Sequence, residues 1–148
     1  MLNIKDYGYM DHQEGTVARI TSVHRERFGI VCDFGGGYAR LKTKEYYQDG
    51  ETFPTVGDYV TIDFIENGDS RILATLPRKT VFTRRDPGPV PREQAVAANF
   101  DYVFILQSLN HDFNPKRLER YLTLSWQSRA TPVILLTRRT LRRTTGTI

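Results

Sequence analysis

Residues 15–43 read G-T-V-A-R-I-T-S-V-H-R-E-R-F-G-I-V-C-D-F-G-G-G-Y-A-R-L-K-T, and the pattern of this stretch decides the fold. Gly15 to Val23 sets apolar Val17, Ile20 and Val23 among polar neighbours in an imperfect alternation. Phe28 to Phe34 is a second β-rich run, and Tyr38 to Thr43 resumes a period of two. Between the last two runs stand Gly35, Gly36 and Gly37, which supply the positive φ that tight hairpin turns need, so the glycine triplet is read as the turn.

The same rhythm continues outward. Val56-Gly57-Asp58 leads into Tyr59 to Ile65, with Val60, Ile62 and Phe64 on one face. Asn67-Gly68-Asp69 marks a tight turn, and Arg71 to Leu76 follows. About five short strands joined by glycine turns predict a small closed barrel, of OB or SH3-like type. Residues 77–99 change character. Pro77, Pro87, Pro89 and Pro91 interrupt regular structure, and Arg71, Arg78, Lys79, Arg84, Arg85 and Arg92 meet only one acid, Asp86, between positions 71 and 92. This stretch reads as a basic connector.

From Phe100 the period changes again. Asp101 to Leu109 is a nearly continuous apolar run, as expected of a strand buried on both faces of a parallel sheet. Asn114-Pro115 is a helix start, with asparagine as N-cap and proline where its missing N–H is harmless. Leu118, Tyr121, Leu122 and Ser125 fall at helical spacing, so Lys116 to Arg129 should be an amphipathic helix. Pro132 to Leu136 then forms a second strand. Strand, helix and strand make one βαβ unit, which covers only part of its own apolar surface and so belongs to a larger sheet.

Composition excludes several functions. The chain has 148 residues, 39% apolar and 26% charged, which is ordinary globular material. No apolar run reaches the roughly 18 residues of a membrane span, and the N-terminus lacks a signal-peptide core, so a cytoplasmic protein with no membrane partner is expected. The single cysteine, Cys32, cannot form an internal disulfide, and His12, His24 and His111 show no ligand spacing with it, so no metal site is expected. The net charge of +4 invites a nucleic-acid partner, but residues 1–137 hold 17 basic and 17 acidic side chains. The surplus is Arg138, Arg139, Arg142 and Arg143. The case for RNA therefore rests on the local strip Arg71, Arg78, Lys79, Arg84, Arg85 and Arg92 beside a barrel. Phe28, Tyr38 and Tyr59 are candidate base-stacking residues, with core positions as the competing reading. A G-x-x-x-x-G-K-[ST] phosphate loop is absent, because the glycine cluster is followed by Tyr38, and no nucleophile with a histidine partner stands out, so no catalytic residue is assigned.

Three segments carry a resemblance: Q-A-V-A-A-N-F-D-Y-V-F-I-L-Q-S-L at 94–109, F-N-P-K-R-L-E-R-Y-L at 113–122 and T-P-V-I-L-L-T at 131–137. Together with V-G-D-Y-V at 56–60 and R-K-T-V-F-T-R-R at 78–85, they resemble the bacterial ribosome-small-subunit-dependent GTPase A family. The resemblance implies an N-terminal OB-fold, a circularly permuted GTPase domain and a zinc-binding region. It also implies GTP, magnesium and structural zinc as cofactors, and the small ribosomal subunit and its rRNA as partners in late maturation. The expected fold class is then an all-β OB-type barrel followed by a partial α/β (βαβ) segment of a permuted GTPase domain. The expected layout is an N-terminal segment and barrel over 1–83, the basic connector over 84–99, the partial GTPase domain over 100–137 and an aberrant basic tail over 138–148.

The resemblance also bears on the nucleotide. The family continues the second strand with T-K-x-D-L, whose aspartate reads guanine. Here the corresponding run is Thr137, Arg138, Arg139, Thr140, Leu141. Thr137 is a remnant of that cofactor-binding motif, and neither Arg138 nor Thr140 matches it, since threonine lacks the anionic two-oxygen acceptor. Loss of one base in the lysine codon would convert T-K-A-D-L into T-R-R-T-L, so a frameshift after Thr137 is expected. This chain alone is then expected to hold no cofactor and to be inactive as a GTPase. A non-catalytic OB-fold RNA-binding module is the alternative.

Overall fold

The computed structural model describes residues 2–11, 13–42, 52–85, 88–89 and 93–138. Two compact units divide at residues 100 and 101.

In the first unit five strands close a barrel: β1 (Thr16–His24), β2 (Arg27–Cys32), β3 (Gly35–Leu41), β4 (Tyr59–Asp63) and β5 (Ser70–Thr75). Their order around the wall is β1-β2-β3-β5-β4, with β4 returning to β1. All pairs are antiparallel except β3 with β5, which run parallel over Ala39–Leu41 and Ser70–Ile72. Five strands closed in this order form an OB-type barrel.

Side-chain alternation fills the barrel. Ala18 and Ile20 of β1, Phe28, Ile30 and Cys32 of β2, Ala39 of β3, Val60 and Ile62 of β4 and Ile72 of β5 form one buried cluster. The alternation along β1 is imperfect because the β1–β2 register shifts between Ile20 and Ser22. Such a bulge changes which face the following residues present, and it leaves Val23 37% exposed. A short 3-10 turn, Ile4–Tyr7, is capped by the Asn3 side chain and tied to the barrel by Ile4 N–H donating to Asp33 Oδ1 at 2.6 Å. Ile4 and Tyr9 pack there against Val17 and Tyr59.

Two sequence expectations change in this unit. The β2–β3 hairpin turns at Asp33-Phe34, because Cys32 pairs with Gly35, and the three glycines lie inside β3. The stretch expected as an irregular connector also holds two antiparallel strands, β6 (Val81–Arg85) and β7 (Glu93–Ala98). In the sequence Pro87, Pro89 and Pro91 fall between those strands.

The second unit is the expected βαβ segment. Strand β8 (Tyr102–Ser108), helix α1 (Pro115–Gln127) and strand β9 (Thr131–Thr137) are joined so that β8 and β9 pair in parallel. The Asn114 side chain accepts from Arg117 N–H, with Pro115 at the first helical position. Ile105 and Gln107 are buried, whereas Tyr102, Phe104 and Leu106 on the opposite face of β8 are 61 to 68% exposed. One face of the two-stranded sheet is thus bare, where the apolar run predicted burial on both. Among the described residues no helix is long and apolar enough to cross a membrane.

Candidate nucleic-acid interface

The V-G-D-Y-V and A-A-N-F segments meet in the first unit and fix the β6–β7 hairpin to the barrel. Ala98 N–H donates to the Val56 carbonyl at 2.9 Å, and Gly57 N–H to the Ile20 carbonyl at 2.9 Å. Gly57 has φ +90°, and a β-carbon there would overlap the Ala98 carbonyl oxygen, so both the conformation and the close approach require glycine. Asn99, itself at φ 54°, accepts from Lys79 N–H through Oδ1 and donates through Nδ2 to the Gly57 carbonyl at 3.1 Å. The Arg19 guanidinium donates to the carbonyls of Tyr7, Gly57 and Asn99. Arg19 thereby links the N-terminal segment, the barrel and the end of the hairpin.

Beside this junction Asp58 is fully buried. It accepts from Arg78 Nε at 2.8 Å, from Arg78 Nη2 at 2.6 Å and from Thr55 N–H at 2.8 Å. Arg78 also donates to the Phe53 carbonyl. A two-pronged guanidinium–carboxylate pair of this kind fixes geometry and leaves the fork committed. Arg78, nominated with the RNA-facing strip, has a side chain only 17% exposed and takes a structural role.

The rest of the nominated strip divides. Arg84 and Arg85 are neighbours on β6, exposed, opposite Gln94 and Glu93. Lys79 is exposed next to the junction. Arg71 is exposed on β5, in register with Arg40 of β3 on one side and Asp63 of β4 on the other. Arg92 lies outside the described residues. Of the proposed stacking residues, Phe28 belongs to the core and Tyr59 is buried with its hydroxyl donating to the Tyr7 carbonyl, whereas Tyr38 is 45% exposed.

A second cluster escaped the sequence reading. Asp69, at the end of the β4–β5 loop, accepts from Arg27 Nη2 and from Arg40 Nε, each at 2.8 Å. Hydrogen bonds from Arg27 and then Arg40 hold the Asp69 carboxyl below its ordinary value, and the Asp69 bond raises Arg27 in turn. The Arg27 guanidinium lies over the Tyr38 ring, 3.9 Å from its centroid. Phe34 in the β2–β3 turn stacks on Phe64 with centroids 4.7 Å apart, and both rings are exposed, at 57 and 38%. Signals existed for these residues: an aromatic in a two-residue hairpin turn has no core to enter, and a carboxylate after Asn-Gly sits where neighbouring strands can reach it.

The nucleotide end is different. Thr137 closes β9, exposed, with its carbonyl accepting from Leu109 N–H at 3.0 Å, and exposed Arg138 follows. The resemblance puts the guanine-reading carboxylate at position 140, where this sequence has threonine. Thr140 lies outside the described residues. Among the described residues no group of three or more His, Cys, Asp or Glu side chains could hold a metal ion.

Comparison with known proteins gives this arrangement a family. Residues 75–146 match the RsgA GTPase family model. That match runs on past Thr137, through most of the segment expected to be an aberrant tail. Two curated relatives from Listeria monocytogenes, both named small ribosomal subunit biogenesis GTPase RsgA, are 48% identical over 121 residues and 41% identical over 145 residues. They match 81% and 93% of this chain, but only 33% and 40% of their own length, so the chain spans well under half of each relative. Among solved structures, YjeQ from Thermotoga maritima aligns with TM-score 0.63 at 19% identity, over 82% of this chain and 40% of that one. YloQ, described as a circularly permuted GTPase, aligns with TM-score 0.58 at 16% identity, over 87% of this chain and 43% of that one. These structures share the fold, and the sequence relatives name the family: the chain is a homologue of the RsgA GTPases over part of their length.

Proposed function

We propose that these 148 residues form the RNA-binding front of a ribosome biogenesis GTPase, docking on the rRNA of the small ribosomal subunit in the cytoplasm without performing the nucleotide chemistry. The relatives' names supply the subunit, and the observation that carries the rest is the anchored hairpin. Arg84 and Arg85 stand exposed on a strand pair that Gly57, Arg19 and Asn99 fix to an OB-type barrel, so two cations are presented from a rigid mount. The non-catalytic part of the reading rests on chemistry. No phosphate-loop motif occurs in the sequence, and Thr140 and Arg138 stand where the family would carry its guanine-reading aspartate and its lysine. GTP, magnesium and structural zinc would then be requirements of the longer relatives, and these residues alone neither bind nor hydrolyse GTP.

Binding to purified small subunits, followed against salt, tests the docking. If Arg84 and Arg85 touch phosphates, Arg84→Ala with Arg85→Ala flattens the slope of log affinity against log salt by about 1.4–1.8, at roughly 0.7–0.9 per contact. An unchanged slope refutes their role, and subunit-stimulated GTP hydrolysis by the purified chain refutes the non-catalytic part. Reading the gene around codon 138 tests the frameshift origin of the tail, against which the family match through residue 146 counts.

A further inference from the structure

Residues 3–9 are strapped to the barrel at three points. Ile4 N–H donates to Asp33 Oδ1 at 2.6 Å, the Tyr59 hydroxyl donates to the Tyr7 carbonyl at 2.6 Å, and Arg19 Nη1 donates to that same carbonyl at 2.7 Å. Asn3 caps the short turn, and Gly8 closes it at φ +90°, where a β-carbon would stand 2.8 Å from the Tyr59 hydroxyl oxygen. Both the conformation and the approach call for glycine. The segment is therefore shaped to lie on the barrel, although it contributes no strand to the wall.

One guanidinium joins this strap to the hairpin. The three nitrogens of Arg19 are committed to three different parts of the unit: Nη1 to the Tyr7 carbonyl of the strap, Nε to the Gly57 carbonyl of the barrel at 3.3 Å, and Nη2 to the Asn99 carbonyl at the end of the hairpin at 2.8 Å. The fork is planar and rigid, so it cannot turn toward one acceptor without leaving another. Its carbon lies 5.1 Å from the centroid of the Tyr59 ring, whose hydroxyl holds the strap. Beside Arg19 a cavity of about 140 Å3 lies between Gly8, Tyr9 and Asp11 on the strap and Lys79 and Asn99 at the junction. Across that gap the fork carries the connection in place of continuous packing. Asn99 is also where the hairpin is tied down, since its N–H donates to the Thr80 carbonyl at 2.9 Å, next to the Ala98 bond to Val56.

We infer that the N-terminal segment is a latch on the hairpin. While residues 3–9 lie on the barrel, the Tyr7 carbonyl keeps the Arg19 fork aligned on the Asn99 carbonyl; when they lift, the fork turns away and the β6–β7 hairpin loosens at its mount. The latch sets how firmly Arg84 and Arg85 are presented, and in that consequence it rests on the docking reading and adds a means of regulation to it. A mobile hairpin has to be ordered when it meets its partner, and that ordering lowers affinity without changing the number of charges in contact. Whatever takes up the N-terminal segment therefore weakens docking without touching either arginine.

Amide hydrogen exchange on the full chain reads the latch without any RNA. Asp33→Ala removes the acceptor of Ile4 N–H in the β2–β3 turn, outside the Arg19 network, whereas Asp33→Asn keeps an oxygen there. The Ala98 and Asn99 amides should exchange about fivefold faster or more in Asp33→Ala and at the wild-type rate in Asp33→Asn, while the Lys42 amide, bonded to the Ile72 carbonyl, keeps its rate in both. In an Arg19→Lys background, which retains the charge and loses the fork, Asp33→Ala should add no further acceleration. Asn3→Ala, which uncaps the segment, supplies the same readout if Asp33→Ala does not fold. Unchanged Ala98 and Asn99 amides in a folded variant, equal acceleration at Lys42, or undiminished acceleration with Arg19→Lys overturn the latch. Purified small subunits then separate the two readings. Binding by Asp33→Ala should weaken about threefold or more with an unchanged salt slope; wild-type affinity alongside fast exchange overturns the regulatory consequence. A wild-type chain that ignores the subunit sinks the docking reading and leaves the exchange result standing.

Discussion

Removing the Asp58 carboxylate should unfold the barrel's junction with its hairpin. Asp58→Ala takes away the acceptors of Arg78 Nε, Arg78 Nη2 and Thr55 N–H together. It leaves a guanidinium whose side chain is 17% exposed with the Phe53 carbonyl as its remaining acceptor in this network. Breaking a buried ion pair from one side costs about 3–5 kcal/mol, because the surviving charge stays desolvated and unpaired. Domains of this size hold about 5–15 kcal/mol in total. At roughly 4–8 °C per kcal/mol for a unit of about 100 residues, even a 3 kcal/mol loss lowers the melting temperature by about 12 °C or more.

The assay has to watch the right unit. The one tryptophan, Trp126, belongs to residues 101–148, so its fluorescence reports on the βαβ segment. Urea unfolding followed by tyrosine near-ultraviolet signal reports mainly on the first unit, which holds six of the eight tyrosines. Arg78→Met, which keeps the length of the stem, should destabilise comparably. The double variant should lose at least about 1 kcal/mol less than the two single losses added, since each single change strands the other partner. A loss below about 1 kcal/mol for Asp58→Ala, or strict additivity, would refute the buried-pair argument. The same Arg78→Met protein separates two roles for this residue: a phosphate contact would show as a weaker RNA complex with stability intact, and a structural arginine as the reverse.

Two further outcomes follow from the same geometry. Gly57→Ala should destabilise the first unit by about 2 kcal/mol or more, through its positive φ and the clash with the Ala98 carbonyl together, read as a shift in urea midpoint; a midpoint within error of the wild type would remove the junction argument. Asp69 has a folded-state pKa below its ordinary value of 3.8, so its contribution is present above about pH 4 and fades as pH falls through the folded-state value. The melting-temperature gap between wild type and Asp69→Asn should therefore close on acidification and narrow with added salt, because the cluster is solvent-exposed; a gap unchanged down to pH 2 contradicts the assignment.

What the sequence shows and what it hides separate along one physical line, the distance in chain between a residue and the partner that decides its role. The five barrel strands were legible because alternation and turn residues act over two to four positions. The βαβ unit was legible for the same reason, through Asn114-Pro115 and the helical spacing of Leu118, Tyr121 and Leu122. The glycine triplet misled within that range: Gly35 takes a positive φ just after the true turn at Asp33-Phe34, whereas Gly36 and Gly37 do not and lie inside β3. Hairpin β6–β7 was hidden by its prolines, which lower the β tendency of any window that contains them, while the bond that anchors it joins Ala98 to Val56, 42 residues apart. Arg78 was hidden in the same way. A local count of charges finds a cation without an acid nearby, yet its acid is Asp58, 20 residues upstream and inside the barrel. A basic strip read from composition is therefore a list of arginines whose partners are unknown, and closing the barrel divides it into Arg78, which holds the fold, and Arg71, Arg84 and Arg85, which face the solvent.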